Sequence, residues 1–521
     1  MSTFYTNLNL SPEKVTQPTS TTHTCLAGSR RGIQGVVRPS TREEVIEVLR
    51  AARETKTRLY PISTGMNWGL GSMNPVQDNC VILDLSSLNR IYEINHKLGY
   101  AHIEPGVTQE QLANQLKLEN SPFFLDVTGS SADTSILGNA LDRGISYNLL
   151  RVDTITKLEV LLGTGEIIET GFGHYGPSEL SHLYRHGVGP SLEGLFFQSN
   201  FGIVLSATVA LLPRPQKITS FIIQIQNESR LPELCEALRE LMMAGDLNCI
   251  THVFNQERII PGLAPHVAEY FEKINQPKTK TEVDDLIRNE FPAKWLAAGN
   301  IKGDAKQVQI LERKIKKKLS LYGKVIVLTD FTKKLLSLTQ YLPGLHAKKA
   351  LLYAQRPVGE MTTGQPTYGT LGALHWPIVG HLKDKHILKN PDLGKSGFIY
   401  TLPFAPLTAE SARTLIEVTQ TTGHKYGFEP AITLNLVTNR ILEAVISLSF
   451  DRENQQESEK AKQCLAELQQ LFINEKLFPY RTHIDFMNQL VDPQSTHWKL
   501  IGELKKQFDP DGIIAPGRYC P

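Results

Sequence analysis

The sequence lacks most of the signals that would associate a protein with a metal, a membrane or a nucleic acid. Its six cysteines are scattered and form no CxxC pair, a pattern typical of a reducing compartment and unlike a structural zinc site. No apolar stretch approaches the roughly 20 residues that a membrane-spanning helix needs, and the first residues lack the pattern of a signal peptide. The formal net charge is only +2, which does not favour nucleic acid or an anionic membrane surface. We therefore expect a cytoplasmic protein that binds no metal, no nucleic acid and no membrane.

The length of the chain, 521 residues, exceeds what one hydrophobic core usually serves, so at least two domains are expected. The first part, to about residue 215, combines short strand patterns with capped helices. From Ile218 to about Phe478, longer helical patterns lie between strands, which indicates an antiparallel sheet that carries helices. The tail "FDPDGIIAPGRYCP" is too short to form its own core, so we expect it to pack on structure already formed.

A glycine-rich loop follows the predicted strand "RLYPIS". It reads "PISTGMNWGLG", from Pro61 to Gly71, with three glycines beside Ser63, Thr64 and Asn67. Glycine allows close approach of a ligand to the backbone, and successive backbone N–H groups form a site for phosphate. An ordinary glycine-rich turn is the alternative, since one such loop is weak evidence.

Two further segments rich in small residues lie in the same part of the chain. "DVTGSSADTSILGNALDRG" spans residues 126–144, and "QSNFGIV" spans residues 198–204. Three such segments allow the backbone to surround a long polar ligand, with N–H groups for phosphates and carbonyls for a ring edge. A dinucleotide has that shape.

Five segments match, in order, the motifs of a known protein family. The first loop matches through Pro61, Ser63, Gly65, Asn67, Gly69 and Gly71, and the second segment through Ser135, Gly138, Asn139 and Gly144. "LFFQSNFGIVLSATVALLP", "YRTHIDFMNQL" and "DPDGIIAPGRY" match the remaining three. Over about Gln34 to Tyr519, the chain is identified as a member of the flavoprotein family of vanillyl-alcohol oxidase and p-cresol methylhydroxylase (PCMH).

The resemblance implies an α+β fold with two domains. A PCMH-type FAD-binding domain would comprise residues 1–216, with its core at about 30–216. An α+β cap domain, made of an antiparallel sheet plus helices, would be inserted at residues 217–478, and residues 479–521 would return to the FAD domain and active site. This is not a Rossmann fold, and FAD would lie extended with its pyrophosphate on the first loop.

The resemblance also implies which residues bind FAD. Trp68 lies inside the first loop, where packing beneath the loop is favoured over stacking on the cofactor. The full set of expected FAD-binding residues is Pro61, Ser63, Thr64, Gly65, Asn67, Trp68, Gly69, Gly71, Ser72, Thr128, Gly129, Ser130, Ser135, Gly138, Asn139, Gly144, Gly202, Ile203 and Arg518.

The chemistry implied by the family is hydride transfer from the benzylic carbon of a 4-alkylphenol to the flavin. Tyr480 and Arg481 match a Tyr-Arg pair that holds the phenolate oxygen, and stabilising that charge is the main catalytic task. We therefore expect Tyr480 and Arg481 to be catalytic, and Arg481 to lie away from the pyrophosphate loop. A surface pair is the alternative. Their adjacency predicts a bend at this point, because neighbours on a flat strand face opposite sides.

Several positions depart from the family pattern. Leu70 stands where a second phenolate-binding tyrosine is expected, and Thr370 stands where the cap has a glutamate. The acid that assists the oxidases has no aligned counterpart, and Asp133 is the nearest carboxylate. A pair of cap histidines is replaced by Glu443 and Ala444. A site with one oxyanion donor fewer needs another substrate or a compensating group.

The flavin linkage also departs from the oxidase pattern. Phe398 stands at the histidine that carries covalent flavin, so FAD is expected to be non-covalent. Tyr400 faces the same side of the predicted strand and is a candidate for attachment, because a tyrosine linkage occurs in the methylhydroxylase branch. A core tyrosine is the favoured interpretation of Tyr400.

Three functions remain open from the sequence. The first is an FAD-dependent oxidase or dehydrogenase of a 4-substituted phenol or benzylic alcohol. The second is a flavin oxidoreductase of the same fold acting on a 2-hydroxy acid or a biosynthetic intermediate. The third is a flavin-binding protein without catalysis. The electron acceptor would be O2 or a redox protein, and the resemblance allows a homodimer.

Overall fold

The computed structural model describes residues 3–16, 23–329 and 344–520. The chain forms a first part of small sheets and short helices, a second part around one large sheet, and a C-terminal segment. Strands β1–β13 belong to the first part: β1 (Val15–Thr16), β2 (His23–Thr24), β3 (Arg30–Arg31), β4 (Ile33–Val37), β5 (Leu59–Ile62), β6 (Cys80–Asp84), β7 (Ile91–Asn95), β8 (Tyr100–Ile103), β9 (Phe123–Phe124), β10 (Ile155–Leu162), β11 (Ile167–Glu169), β12 (Gly202–Ala210) and β13 (Leu212–Pro213). Its helices are α1 (Thr3–Thr6), α2 (Arg42–Thr55), α3 (Gln109–Leu118) and α4 (Ile136–Leu141).

Two sheets organise the first part. One has the order β1-β4-β6-β5, and β6 pairs with β4 and β5 in parallel. Every residue of β6 is buried, as expected for a parallel strand covered on both faces. The other sheet has the order β11-β10-β12-β8-β7 and is antiparallel. It contains the predicted hairpin, β10 and β11.

The second part is built on an eight-stranded sheet. Its strands are β14 (Lys217–Ile225), β15 (Thr251–Asn255), β16 (Trp295–Gly303), β17 (Lys324–Leu328), β18 (Ser396–Thr401), β19 (Phe404–Pro406), β20 (Ala431–Leu436) and β21 (Ile441–Asp451). All pairings are antiparallel, in the order β17-β14-β16-β15-β20-β21-β18, with β19 also on β21. Its described helices are α5 (Leu231–Met243), α6 (Gln256–Lys273), α7 (Lys280–Glu290), α8 (Ala305–Leu319), α9 (His346–Ala354), α10 (Arg356–Thr362), α11 (Gly372–Val379), α12 (Lys385–Lys389), α13 (Ala409–Tyr426) and α14 (Gln455–Asn474).

The two faces of this sheet differ in chemistry. Val253, Leu434 and Ala444 belong to a hydrophobic core shared with α5, α8, α13 and α14. Because side chains alternate along a strand, the neighbouring residues of these three point to the opposite face. That face therefore carries polar groups, among them His252, Asn435 and Glu443.

The C-terminal segment joins both parts. Pro479 bridges to Pro403, and Ile514 bridges to Leu59 of β5. Ile484 and Ile513 are buried in the hydrophobic cluster of the first part, and α15 (Thr496–Phe508) follows between them. The predicted fold class is confirmed, because the architecture is α+β with helices on a large antiparallel sheet.

The described residues hold neither a helix long and apolar enough to cross a bilayer nor a group of side chains suited to a metal ion. All six cysteines are free and buried.

Candidate functional site

A cleft of about 180 Å³ lies between the first part and the C-terminal segment. It is lined by residues from five stretches of the chain: 60–67, 134–142, 196–204, 481–484 and 514–518, together with Ser72, Leu85 and Pro105. Three of these stretches contain the segments of small residues seen in the sequence. The cleft is therefore formed by contacts between segments that are far apart in the chain.

The glycine-rich loop enters the cleft directly from β5. Gly65, Gly69 and Gly71 have φ angles of 70°, 79° and 126°, in the region that favours glycine. A Cβ atom on Gly69 would lie 2.2 Å from Cε1 of Tyr400, and one on Gly71 would lie 2.7 Å from Cγ2 of Ile484. These glycines thus let the loop pack against the large sheet and the C-terminal segment.

The second segment is fastened to this loop. The Ser135 backbone N–H donates to Thr64 Oγ1 at 3.1 Å, and Ser135 Oγ accepts from the Gly138 N–H at 2.9 Å. A Cβ atom on Gly138 would lie 2.1 Å from Ser63 Oγ. The two segments therefore form one wall of the cleft, and glycine at position 138 is required for their approach.

A buried network of charges also lines the cleft. Asp142 accepts from Arg481 Nη2 at 2.7 Å and from Arg518 Nη2 at 2.6 Å. Asn67 accepts from Arg481 at 2.8 Å and donates to Asp142 at 3.2 Å, and Tyr60 OH accepts from Arg518 at 3.0 Å. Two guanidinium groups against one carboxylate leave an excess of positive charge, which suits an anionic ligand.

The expectation that Arg481 lies away from the glycine-rich loop is wrong. Arg481 bonds to Asn67 of that loop, because the C-terminal segment folds back along it and the Ile484 N–H donates to the Leu70 carbonyl at 3.2 Å. The expected bend at residues 480 and 481 is present. Arg481 therefore links the glycine-rich loop to Asp142.

A second polar cluster lies on the polar face of the large sheet, beside Tyr480. Glu443 is 2% exposed, accepts a hydrogen bond from Asn435 Nδ2 at 2.6 Å and lies close to the Tyr480 side chain. Asn435 Oδ1 in turn lies 2.6 Å from His252 Nδ1. Burial raises the pKa of Glu443 and of Tyr480 and lowers the pKa of His252. The Tyr480 ring stacks on Phe404 at 4.3 Å, which fixes its orientation.

The residues of the cleft fit FAD. Gly65 supplies a loop with a left-handed backbone of the kind that approaches phosphates. Two buried polar atoms of the lining, Arg481 Nε and Asn139 Oδ1, have no hydrogen-bond partner among the described residues, and a buried polar group normally has one. Together with the excess positive charge, these groups match a dinucleotide with an anionic pyrophosphate and a polar ring edge.

The structure brings most of the predicted FAD-binding residues to the cleft. Those that line it are Pro61, Ser63, Thr64, Gly65, Asn67, Ser72, Ser135, Gly138, Asn139, Gly202, Ile203 and Arg518, together with Arg481. The predicted residues outside the lining are Trp68, Gly69, Gly71, Thr128, Gly129, Ser130, Gly144 and Tyr480. Trp68 packs with Leu26 and Leu371, which agrees with the favoured interpretation that it packs beneath the loop.

The hydroxyl-rich stretch around Thr128 contacts the second part of the chain. Thr128, Ser130 and Thr134 are linked through their hydroxyls, and the Ser130 carbonyl accepts from Thr370 Oγ1 at 2.9 Å. Asp133 accepts from Tyr368 OH at 2.6 Å. This stretch therefore connects the first part to the second, and Asp133 is already engaged by a tyrosine.

Sequence reasoning missed Asp142, Tyr60 and Gln198 as cleft residues. Gln198 Nε2 donates to the Tyr480 carbonyl at 2.8 Å, and so positions the residue before Arg481. Asp142 lies inside the second small-residue segment, residues 126–144, and an aspartate at the end of a buried helix is a signal that could have singled it out.

Phe398 and Tyr400 share one face of β18, as predicted. Their ring centroids are 5.5 Å apart, and both contact the space that a Cβ on Gly69 would fill. Burial raises the pKa of Tyr400, which disfavours the phenolate that a nucleophilic attachment needs.

Comparisons with known proteins agree with this description. The family model described as an FAD binding domain matches residues 33–171. The 1'-carboxy-chondrochloren decarboxylase of Chondromyces crocatus is 31% identical over 503 residues, covering 94% of this chain and 90% of that protein. The 4-cresol dehydrogenase (hydroxylating) flavoprotein subunit of Pseudomonas putida is 26% identical, covering 92% of this chain and 87% of that protein.

Solved structures show the same fold. p-Cresol methylhydroxylase with substrate bound superimposes with a TM-score of 0.82 at 24% identity, covering 99% of this chain and 95% of that chain. 4-Ethylphenol oxidase from Gulosibacter chungangensis, in complex with isoeugenol, superimposes with a TM-score of 0.79 at 25% identity, covering 94% and 89%.

Proposed function

Since the chain belongs to the FAD-linked oxidoreductase family of vanillyl-alcohol oxidase and p-cresol methylhydroxylase, we propose that this enzyme oxidises a 4-substituted phenol or benzylic alcohol. The observation that carries this proposal is the adjacency of Tyr480 and Arg481 between the cleft and the polar face of the large sheet. A hydroxyl and a fixed positive charge there suit a phenol oxygen that becomes negative. The residues lining the cleft hold FAD, which supplies a hydride acceptor when bound.

Side chains of the protein supply charge stabilisation and orientation. The Nε atom of Arg481 is a buried donor without a partner among the described residues. It is therefore available to donate to an anionic oxygen of the substrate or to the edge of the cofactor. Asp142 holds the guanidinium through Nη2, so the group cannot swing away from the cleft. Phe404 holds the Tyr480 ring in place by stacking. Orientation of this kind accounts for a large share of the rate enhancement in many enzymes.

The substrate class is tested by anaerobic bleaching of the flavin absorbance. We expect 4-alkylphenols and 4-hydroxybenzyl alcohols to bleach it, and 2-hydroxy acids not to do so. Bleaching by 2-hydroxy acids alone would overturn the phenol assignment, and no bleaching by any compound would favour a non-catalytic flavin protein. Hydrogen peroxide formation in air would identify O2 as the electron acceptor, and its absence would favour a redox protein. Analytical ultracentrifugation tests whether the protein is a homodimer.

A second candidate activity is removal of a carboxylate from the substrate. It is supported by the relative at 31% identity, which is a decarboxylase and matches 94% of this chain. The test compares a 4-alkylphenol with the same compound bearing a carboxylate on its side chain. Release of CO2 together with flavin bleaching, only from the carboxylated compound, would favour decarboxylation over simple oxidation.

Replacing Gly65 by aspartate is expected to abolish FAD retention during purification. The side chain would place a carboxylate where the pyrophosphate is proposed to lie. The matched control is Gly245→Asp, since Gly245 has a similar φ of 74° and nothing within 4 Å of a built Cβ. Flavin absorbance per protein measures the result, and Gly65→Ala separates backbone strain from charge. A fully yellow Gly65→Asp protein would show that the pyrophosphate lies elsewhere.

FAD is expected to be released by acid precipitation, because Phe398 cannot form a covalent bond to it. The supernatant should contain the flavin and the pellet should not fluoresce under ultraviolet light. A fluorescent pellet would contradict this expectation. If Tyr400→Phe then released the flavin, the linkage would be assigned to Tyr400.

A further inference from the structure

A second cavity, of about 690 Å³, lies in the second part of the chain and takes no part in the proposed function. Helices α6, α7 and α11 form one side of it, and strands β18, β20 and β21 form the other. Small-molecule sites in proteins commonly enclose about 300–1,000 Å³. The cavity is therefore large enough for an organic ligand.

Part of the cavity wall is apolar. Five large side chains contribute to it: Ile260, Leu374, Trp376, Phe398 and Phe428. Such side chains favour the hydrocarbon body of a ligand, because its contact with them removes apolar surface from water. Phe398 also approaches the glycine-rich loop, since its Cδ1 atom lies 3.2 Å from the position that a Cβ on Gly69 would occupy. A ligand that contacts Phe398 is thus one side chain away from that loop.

Arg258 brings a positive charge to this cavity. It lies in the first turn of α6, and its Nη2 atom donates to Ser447 Oγ at 2.6 Å and to the carbonyls of Ala431 and Val445 at 3.2 and 3.4 Å. Its buried Nε atom has no hydrogen-bond partner among the described residues, and within them its guanidinium forms no ion pair with a carboxylate. Burial lowers the pKa of Arg258 to about 10. The cation is therefore held in place without a compensating negative charge.

Several other charged groups of the lining are compensated. Lys280 contacts Asp284 at 3.3 Å, and Arg288 contacts Asp285 at 3.4 Å. Burial raises the pKa of Glu257, which favours its neutral form. Arg258 differs from these groups, and a buried cation without a partner is unfavourable until an anion reaches it.

We propose that this cavity binds an organic acid with an apolar body, and that Arg258 holds the carboxylate of that acid. A carboxylate carries one negative charge, which matches one guanidinium group, and its oxygens accept from the N–H donors of arginine. The Ser449 hydroxyl on β21 is a further donor in the lining. The apolar body lies against Trp376 and Phe398. The inference goes beyond the proposed function and does not rest on it, because it concerns binding and involves neither a phenolic hydroxyl nor flavin chemistry.

The first experiment measures binding to the FAD-loaded protein by isothermal titration calorimetry, with 4-phenylbutanoate as the probe. This compound has a carboxylate and an apolar ring but no phenolic hydroxyl. We expect the wild type to bind it at one saturable site. The neutral amide 4-phenylbutanamide should bind about 10–100-fold more weakly, because the hydrogen bond between two charged groups is lost. Equal affinity for the acid and the amide, or no binding of the acid, would overturn the proposal.

Replacing Arg258 by methionine should weaken binding of the acid by the same factor, about 10–100-fold, and should remove the preference for the acid over the amide. The control is Arg288→Met, since the Arg288 side chain also lines the cavity but is 50% exposed and contacts Asp285. This control should keep the wild-type preference. If Arg258 has only a structural role, Arg258→Met weakens both probes equally and leaves the preference unchanged, a result that excludes the proposed carboxylate contact.

A second variant tests the location of the site without altering Arg258, whose hydrogen bonds join β20 to β21. Ser449→Trp places a large ring at the wall of the cavity and leaves the hydrogen bonds of Arg258 Nη2 in place. We expect it to abolish binding of 4-phenylbutanoate. Wild-type affinity in Ser449→Trp would place the acid elsewhere and so refute the assignment, including in the case that Arg258→Met does not fold.

The flavin absorbance then distinguishes two origins of the acid. If the carboxylate belongs to the substrate, 4-(4-hydroxyphenyl)butanoate bleaches the flavin at lower concentration than 4-butylphenol does, and Arg258→Met removes that difference. If the acid is a separate ligand, 4-phenylbutanoate changes the rate at which a 4-alkylphenol bleaches the flavin and causes no bleaching itself. The proposed function fails independently of this site: it is wrong if no phenol bleaches the flavin, whatever the calorimetry shows.

Discussion

Replacing Asp142 by alanine is expected to destabilise the protein by about 3–5 kcal/mol, as removal of one partner from a buried ion pair does. Asp142 is 6% exposed and is the carboxylate that both Arg481 and Arg518 contact. Its loss leaves two guanidinium groups in the cleft wall facing each other without the intervening negative charge. Thermal unfolding of the flavin-free protein, measured against wild type, gives the size of the effect.

The matched control for this prediction is Asp511→Ala. Asp511 also contacts two cations, Arg53 and Lys56, but these side chains are 39% and 68% exposed. Water screens such pairs, so their contribution to stability is small. Equal melting temperatures for Asp142→Ala and Asp511→Ala would contradict a special role for the buried network. Asp142→Asn should fall between wild type and Asp142→Ala, because it keeps acceptor geometry without charge.

Replacing Arg481 by alanine is expected to slow flavin reduction by about 10²–10³-fold, the usual effect of removing one donor from an oxyanion site. With Leu70 in place of a tyrosine, Arg481 and Tyr480 must together stabilise the phenolate. Arg481→Lys should rescue only part of the rate, because an ammonium group does not reproduce the planar set of donors. Anaerobic stopped-flow reduction with the best 4-alkylphenol measures both variants.

The same variant is also expected to bind FAD more weakly, because Arg481 is hydrogen-bonded to Asn67 of the glycine-rich loop. Titration of the flavin-free protein with FAD separates this effect from the rate. The control is Arg452→Ala, since Arg452 donates to the carbonyls of Cys25 and Asp392 and does not line the cleft. An Arg481→Ala protein with wild-type reduction rates would exclude a phenolate site at this position.

The sequence alone predicted the elements whose signals are local. The loop at Gly65 and Gly69 was recognisable because left-handed backbone conformations require glycine, and the hairpin of β10 and β11 because its turn and its strand patterns are contiguous. The change from mixed small sheets to one antiparallel sheet was visible in the lengths of the helical patterns. The order of five motifs then predicted the family, the fold class and FAD, and all three are confirmed.

The tertiary structure alone decided how the charged groups pair. Asp142 lies 339 residues from Arg481 and 376 from Arg518, and no periodicity or spacing connects positions so far apart. The same holds for Glu443, which was visible only as a departure from the family pattern, whereas the fold places its carboxylate against Asn435 of the neighbouring strand. Local backbone preferences act over a few residues and leave a readable pattern in the sequence. The pairing of buried charges depends on which distant segments the folded chain brings together, because a buried charge is stable only when a partner reaches it.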